Sequence, residues 1–112
     1  MTSEVRASPV LPVTDLDRAL AHYAALGFAT SRHDDTYGFA AWAGLELHLT
    51  VDPDTTGAEV YLHVPDADAV AESWAGPGTT TPTAKSWGVR EGSHVDPDGN
   101  LLRFGSPLAS GT

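Results

Sequence analysis

Pro9-Val10-Leu11-Pro12-Val13-Thr14-Asp15-Leu16-Asp17 is answered by Val60-Tyr61-Leu62-His63-Val64-Pro65-Asp66-Ala67-Asp68, at a constant offset of 51 residues. The offset carries Val13 onto Val64, Asp15 onto Asp66, Asp17 onto Asp68 and Tyr23 onto Trp74. Each copy reads as a short apolar strand, an Asp-x-Asp, and an amphipathic segment ending in an aromatic residue. A fixed internal period marks one supersecondary unit written twice.

In the first copy Thr14 or Asp15 can cap a helix, and Asp17 suits its positive end. Leu16, Ala19, Leu20 and Tyr23 fall at helical spacing on one apolar face, and Gly27 ends the run. In the second, Asp66 and Asp68 open a helix whose face holds Ala67, Val70, Ala71 and Trp74, stopped by Gly76-Pro77-Gly78. After each helix the period drops to about two. This predicts strands over 28–32, 37–42 and 45–51, then over 79–84, 87–95 and 100–104. Pro82 admits only an edge or irregular strand. Asp34-Asp35, Ala43-Gly44 and Asp96-Pro97-Asp98-Gly99 supply turns. The expected fold is α+β: two tandem βαβββ units, about 6–52 and 57–107, within a single domain of residues 1–112.

Fifteen acidic residues against six basic ones give a formal charge of −9. Nucleic acid and anionic membranes would be repelled and a cationic small molecule attracted; plain solubility is the other use of such charge. With no cysteine, disulfides, thiolate catalysis and Cys-based zinc sites are excluded. Met1–Ser8 lacks an apolar run behind its charges and does not read as a signal peptide. No stretch approaches the roughly 20 apolar residues of a membrane span. A cytoplasmic location is expected.

The repeated unit, Asp15-Leu16-Asp17-Arg18-Ala19 after the first strand, and Leu26-Gly27-Phe28 after the helix resemble the vicinal oxygen chelate superfamily. That superfamily includes glyoxalase I, extradiol dioxygenases, fosfomycin-inactivating thiol transferases and bleomycin-resistance proteins. Ser86-Trp87-Gly88-Val89-Arg90-Glu91 and Asp96-Pro97-Asp98-Gly99-Asn100 are similar to motifs of the antibiotic-binding, bleomycin-resistance branch. The resemblance spans Ser8 to Pro107. It implies a cupped half-barrel sheet, a homodimer that exchanges N-terminal strands, and two shared clefts for a bleomycin-type antibiotic.

In the superfamily's enzymes the first and last strand of each unit give metal ligands. The corresponding positions here are Ser8, His48, Glu59 and Arg103. Arg103 stays protonated and repels a cation, and Ser8 is a poor ligand. Arg103 is expected instead to form a buried ion pair with Glu59 where a metal would sit. The expectation is therefore no cofactor, no resident metal and no catalysis; a bound drug can carry its own ion.

By the same resemblance Trp87 stacks on the drug's bithiazole, with Gly88, Arg90 and Arg103 beside it. Tyr37 and Phe39 share one face of their strand and Trp42 takes the other, where any of them is either core or ligand-binding. A ring between Trp87 and Phe39, drawn from one chain or two, would gain about 1–3 kcal/mol per stacking contact. Asp34, Asp35, Asp52, Asp54 and Glu91 are candidates for an acidic rim. His22 and His33 read as solvated, and His63 and His94 lie on strands with faces unassigned. The competing functions are a metal-dependent lyase, thiol transferase or dioxygenase relying on His48 and Glu59, and a carrier of another small molecule.

Overall fold

The computed structural model describes residues 4–54 and 57–108. Met1–Ser3 of the N-terminal segment lie outside them. The chain divides between Pro53 and Asp54 into two compact units.

The first unit runs β1 (Val10–Val13), α1 (Leu16–Ala25), β2 (Ala29–Asp34), β3 (Tyr37–Trp42) and β4 (Leu45–Val51). Its sheet order is β1-β4-β3-β2, with β1 parallel to β4 and the other neighbours antiparallel. Asp15, not Thr14, caps α1: its backbone is extended and its carboxylate accepts the Arg18 amide at 3.1 Å. At the far end Gly27 turns left-handed (φ +104°). Gly27 then donates to Ala24 and Phe28 to Tyr23, each at 3.0 Å, satisfying two carbonyls the helix leaves open. The Tyr23 and Phe28 rings meet edge to face, 5.3 Å apart, and seal that end.

One side of this sheet carries α1. Leu16, Ala19 and Tyr23 are buried there with Leu11, Val13, Ala40, Leu47 and Leu49. A methyl group at Gly38 would lie 3.1 Å from Leu20 and 3.2 Å from Leu16, so glycine lets the helix approach β3 closely. The β3–β4 turn uses Ala43 and Gly44, both at positive φ (51° and 84°), as a two-residue hairpin loop requires.

The second unit repeats the plan: β5 (Glu59–His63), α2 (Ala67–Ser73), β6 (Thr83–Ala84), β7 (Val89–Val95) and β8 (Leu101–Pro107), in the order β5-β8-β7-β6. Asp66 caps α2 by accepting the Ala69 amide at 3.2 Å. Leu62, Val64, Ala67, Val70, Trp74, Leu102 and Phe104 form its core. The expected strand over 79–84 shrinks to Thr83–Ala84. Pro82 has no N–H to give, and the chain before it is tied to β7 through a Thr79–His94 bridge, the Val95 amide on the Gly78 carbonyl and Thr80–Ser93 hydrogen bonds. β7 begins at Val89 rather than Trp87, because Lys85 to Gly88 form a turn. β8 runs past Phe104 to Pro107.

Asp96-Pro97-Asp98-Gly99-Asn100 is a structural lock. Asp96 Oδ1 accepts the amides of Asp98 and Asn100, each at 2.9 Å, and its Oδ2 accepts the Asn100 side-chain amide at 2.9 Å. Asn100 Oδ1 accepts the Ala58 amide at 2.7 Å, so the β7–β8 turn holds the start of β5. A side chain at position 57 would collide with the Gly99 backbone.

Candidate functional site

In each unit the sheet face away from the helix carries part of the candidate set. Strand alternation sends Gly38 and Ala40 toward α1, which leaves Tyr37, Phe39 and His48 together on the other side, all half-buried. Phe39 pairs with His48 in the β3–β4 register, their rings 5.0 Å apart, and the Tyr37 ring lies 5.7 Å from Phe39. The Tyr37 hydroxyl is 2.8 Å from His48 Nδ1, and His48 Nε2 is 3.1 Å from Glu46 Oε1. A neutral imidazole protonated on Nε2 satisfies both: Nδ1 accepts from Tyr37 and Nε2 donates to Glu46.

Trp42 is not part of this surface. It lies on the helix side, its ring 5.7 Å from Phe28. Asp34 and Asp35 are exposed at the β2–β3 turn. The backbone N–H of Thr36 (2.8 Å) and then its hydroxyl (3.1 Å) donate to Asp34, which holds that carboxyl below its ordinary range. Asp35 stands 3.9 Å from the Arg32 guanidinium, which also pairs with Asp17.

On the second unit's helix-free face, Arg103 is the centre. It does pair with Glu59, as expected, through Nη1 at 3.1 Å. That pair is not buried, since the Glu59 side chain is 60% exposed. The buried partner is Glu91, whose side chain is only 9% exposed and whose Oε2 accepts Arg103 Nε at 3.1 Å and Nη2 at 2.9 Å. Glu91 therefore belongs to an ion pair rather than to an acidic rim. Hydrogen bonds to Glu91 and then Glu59 raise the Arg103 pKa further. The guanidinium sits 5.3 Å from the centre of the Tyr61 ring. Burial, followed by the neighbouring Glu91 charge, pushes the Tyr61 hydroxyl up from 10.0. Gly105 leaves that hydroxyl its room, since a side chain there would collide with it.

Arg90 points the other way, toward α2, with Nε 2.6 Å from Asp68. Trp87 rides on a turn closed by Lys85 N–H to the Val89 carbonyl at 2.7 Å and Gly88 N–H to the Lys85 carbonyl at 3.1 Å. Gly88 adopts a left-handed φ of +89°, and the Trp87 side chain stays 61% exposed. His63 is exposed beside Tyr61. His94 is buried under Trp74 and 2.7 Å from the Thr79 hydroxyl, a structural histidine. His22 is half-buried, its ring edge-on to Tyr23.

The register supports the matching of His48 with Arg103: Val10 pairs with His48, and Tyr61, its repeat equivalent, pairs with Arg103. The residues at these positions do not fit a divalent cation. Ser8 precedes β1, both His48 nitrogens have protein partners, and Glu59 neutralises Arg103. Among the described residues no three His, Cys, Asp or Glu converge as a metal group. No helix among them is long and apolar enough to cross a membrane.

Sequence reasoning missed Glu91 as the partner of Arg103. Counting back from the Asp96–Asn100 turn would have found it: the turn sets Ser93 opposite Arg103, and Glu91 is the diagonal neighbour on the same face.

No family profile and no curated protein matches the chain. Solved structures do. A bleomycin resistance determinant encoded on transposon Tn5 is 24% identical, with a TM-score of 0.82, 95% of this chain covered and 100% of that one. The bleomycin-binding protein from bleomycin-producing Streptomyces verticillus, complexed with copper(II)-bleomycin, is 25% identical, with a TM-score of 0.75 and coverage of 96% and 100%. A glyoxalase-related enzyme from Clostridium phytofermentans is 21% identical, with a TM-score of 0.79 and coverage of 95% and 98%. The chain has the fold of the glyoxalase and bleomycin-resistance superfamily, in the form shared with bleomycin resistance and binding proteins.

Proposed function

We propose that this chain binds a bleomycin-type glycopeptide, or a similarly flat cationic drug, and sequesters it unchanged. The observation that carries the proposal is Trp87: a large indole, 61% exposed, on a turn fixed by two backbone hydrogen bonds. Water gains nothing from that flat apolar surface, whereas an aromatic ligand ring gains about 1–3 kcal/mol by stacking on it. Tyr37 and Phe39 give the first unit its own aromatic surface, and exposed Asp34 and Asp35 add negative charge to that unit. The overall charge of −9 favours a cationic ligand. Likeness to a protein solved with copper(II)-bleomycin supports the same ligand class.

The proposal includes a cytoplasmic homodimer with exchanged N-terminal strands, no cofactor and no catalytic residue. Titration calorimetry of purified protein, with and without a chelator, against metal-free and copper-loaded bleomycin tests it. Micromolar or tighter binding that ignores the chelator is expected. Absence of heat with both drug forms overturns the ligand class. Stoichiometric metal in the purified protein, with activity lost on changing His48, overturns the non-enzymatic assignment in favour of a metalloenzyme.

A further inference from the structure

Lys85 is the only lysine of the chain, and its ammonium makes no ion pair or hydrogen bond with any described residue. It lines a cavity of about 330 Å³ on the second unit together with Thr81, Thr83, Glu91, Ser93, Leu101 and Arg103. We propose that this cavity is a binding site for a small oxyanion, the carboxylate or phosphate group of a metabolite-sized ligand.

The lining is chemically selective. Thr83 pairs with Glu91 across β6 and β7, so its side chain leaves the sheet on the same face as Glu91 and Arg103. The hydroxyls of Thr81 and Thr83 make no hydrogen bond to a described residue. They are donors lining the same cavity as Lys85. Arg103 is held in place by buried Glu91 through Nε and Nη2, while its Nη1 is taken only by exposed Glu59. An exposed ion pair of this kind holds little free energy. An incoming oxyanion can therefore replace Glu59 at Nη1 without disturbing Glu91.

Charge agrees with a monoanion. With Glu59 displaced, Lys85 and Arg103 face Glu91, which leaves one positive charge to be met. The chain's −9 does not prevent this, because exposed charges beyond a screening length of roughly 8 Å are strongly damped. Leu101 adds an apolar wall for the organic part of a ligand. Lys85 is held in position by its backbone hydrogen bonds to Val89 and Gly88.

The test is amide NMR at fixed ionic strength, with inorganic phosphate, acetate and chloride titrated separately. Saturable shifts at Thr81, Thr83, Lys85 and Ser93 are expected with phosphate or acetate and not with chloride. Whichever saturates at lower concentration names the headgroup. Lys85→Met, which keeps the apolar stem, should weaken that binding at least tenfold, and Lys85→Arg should restore most of it. Shifts that grow without saturating for all three anions, or affinity undiminished in Lys85→Met, overturn the proposal. These probes carry no aromatic ring, so failure here is separate from any result with bleomycin.

Discussion

Arg103 gives two of its nitrogens, Nε and Nη2, to a single oxygen of Glu91, at 3.1 and 2.9 Å. That clamp fixes the orientation of the guanidinium on the second unit's helix-free face. Removing the carboxylate leaves the guanidinium with only exposed Glu59. Glu91→Ala should therefore lower stability by about 2 kcal/mol, the range for hydrogen bonds to charged groups. Glu59→Ala should cost no more than about 1 kcal/mol, as exposed ion pairs do. Urea midpoints of the two variants check the order; equal losses would show that Glu91 has no special part.

Trp87 touches the solvent more than the fold. Trp87→Ala should shift stability by less than about 0.5 kcal/mol. The same change should weaken drug binding at least tenfold, about 1.4 kcal/mol. Calorimetry alongside thermal melting separates the two effects, and unchanged affinity would remove Trp87 from the site.

Ala43 occupies a left-handed turn position (φ 51°) where an L side chain is strained. Ala43→Gly should raise stability by about 0.5–1 kcal/mol, part of the relief being offset by the freer unfolded chain. A lowered urea midpoint would contradict this.

The Tyr61 hydroxyl has its folded pKa raised by burial and by Glu91. The folded state therefore binds that proton more tightly than the unfolded state. Its contribution is fully present below the unfolded value of about 10 and is lost as pH rises through the higher folded value. Ultraviolet titration should show a tyrosine component ionising late, and Tyr61→Phe should remove the part of it that Tyr61 contributes. A Tyr61→Phe curve identical to that of the parent would sink the assignment.

The parts of this fold legible in the sequence are those fixed by neighbours along the chain. Asp15 and Asp66 cap helices within three residues of themselves, and Gly27 and Gly99 supply φ values other residues avoid. The aromatic alternation of β3 was readable for the same reason, since period two decides that Tyr37 and Phe39 part from Trp42. Choices among distant neighbours were not. Both Glu59 and Glu91 lie within reach of Arg103, and only burial, a property of the packed sheet, makes Glu91 the stronger partner. Trp87 read as strand because nothing local shows that the Lys85 carbonyl will accept from Gly88.

In both units the first strand pairs with the last, β1 with β4 and β5 with β8. During synthesis the earlier unit can close its sheet once residues through Val51 have cleared the ribosome, before the later one has its helix. The later unit must wait for β8, because β5 has no partner strand in its sheet until then. The residues of the Tyr37 surface thus leave the ribosome before those of the Arg103 clamp.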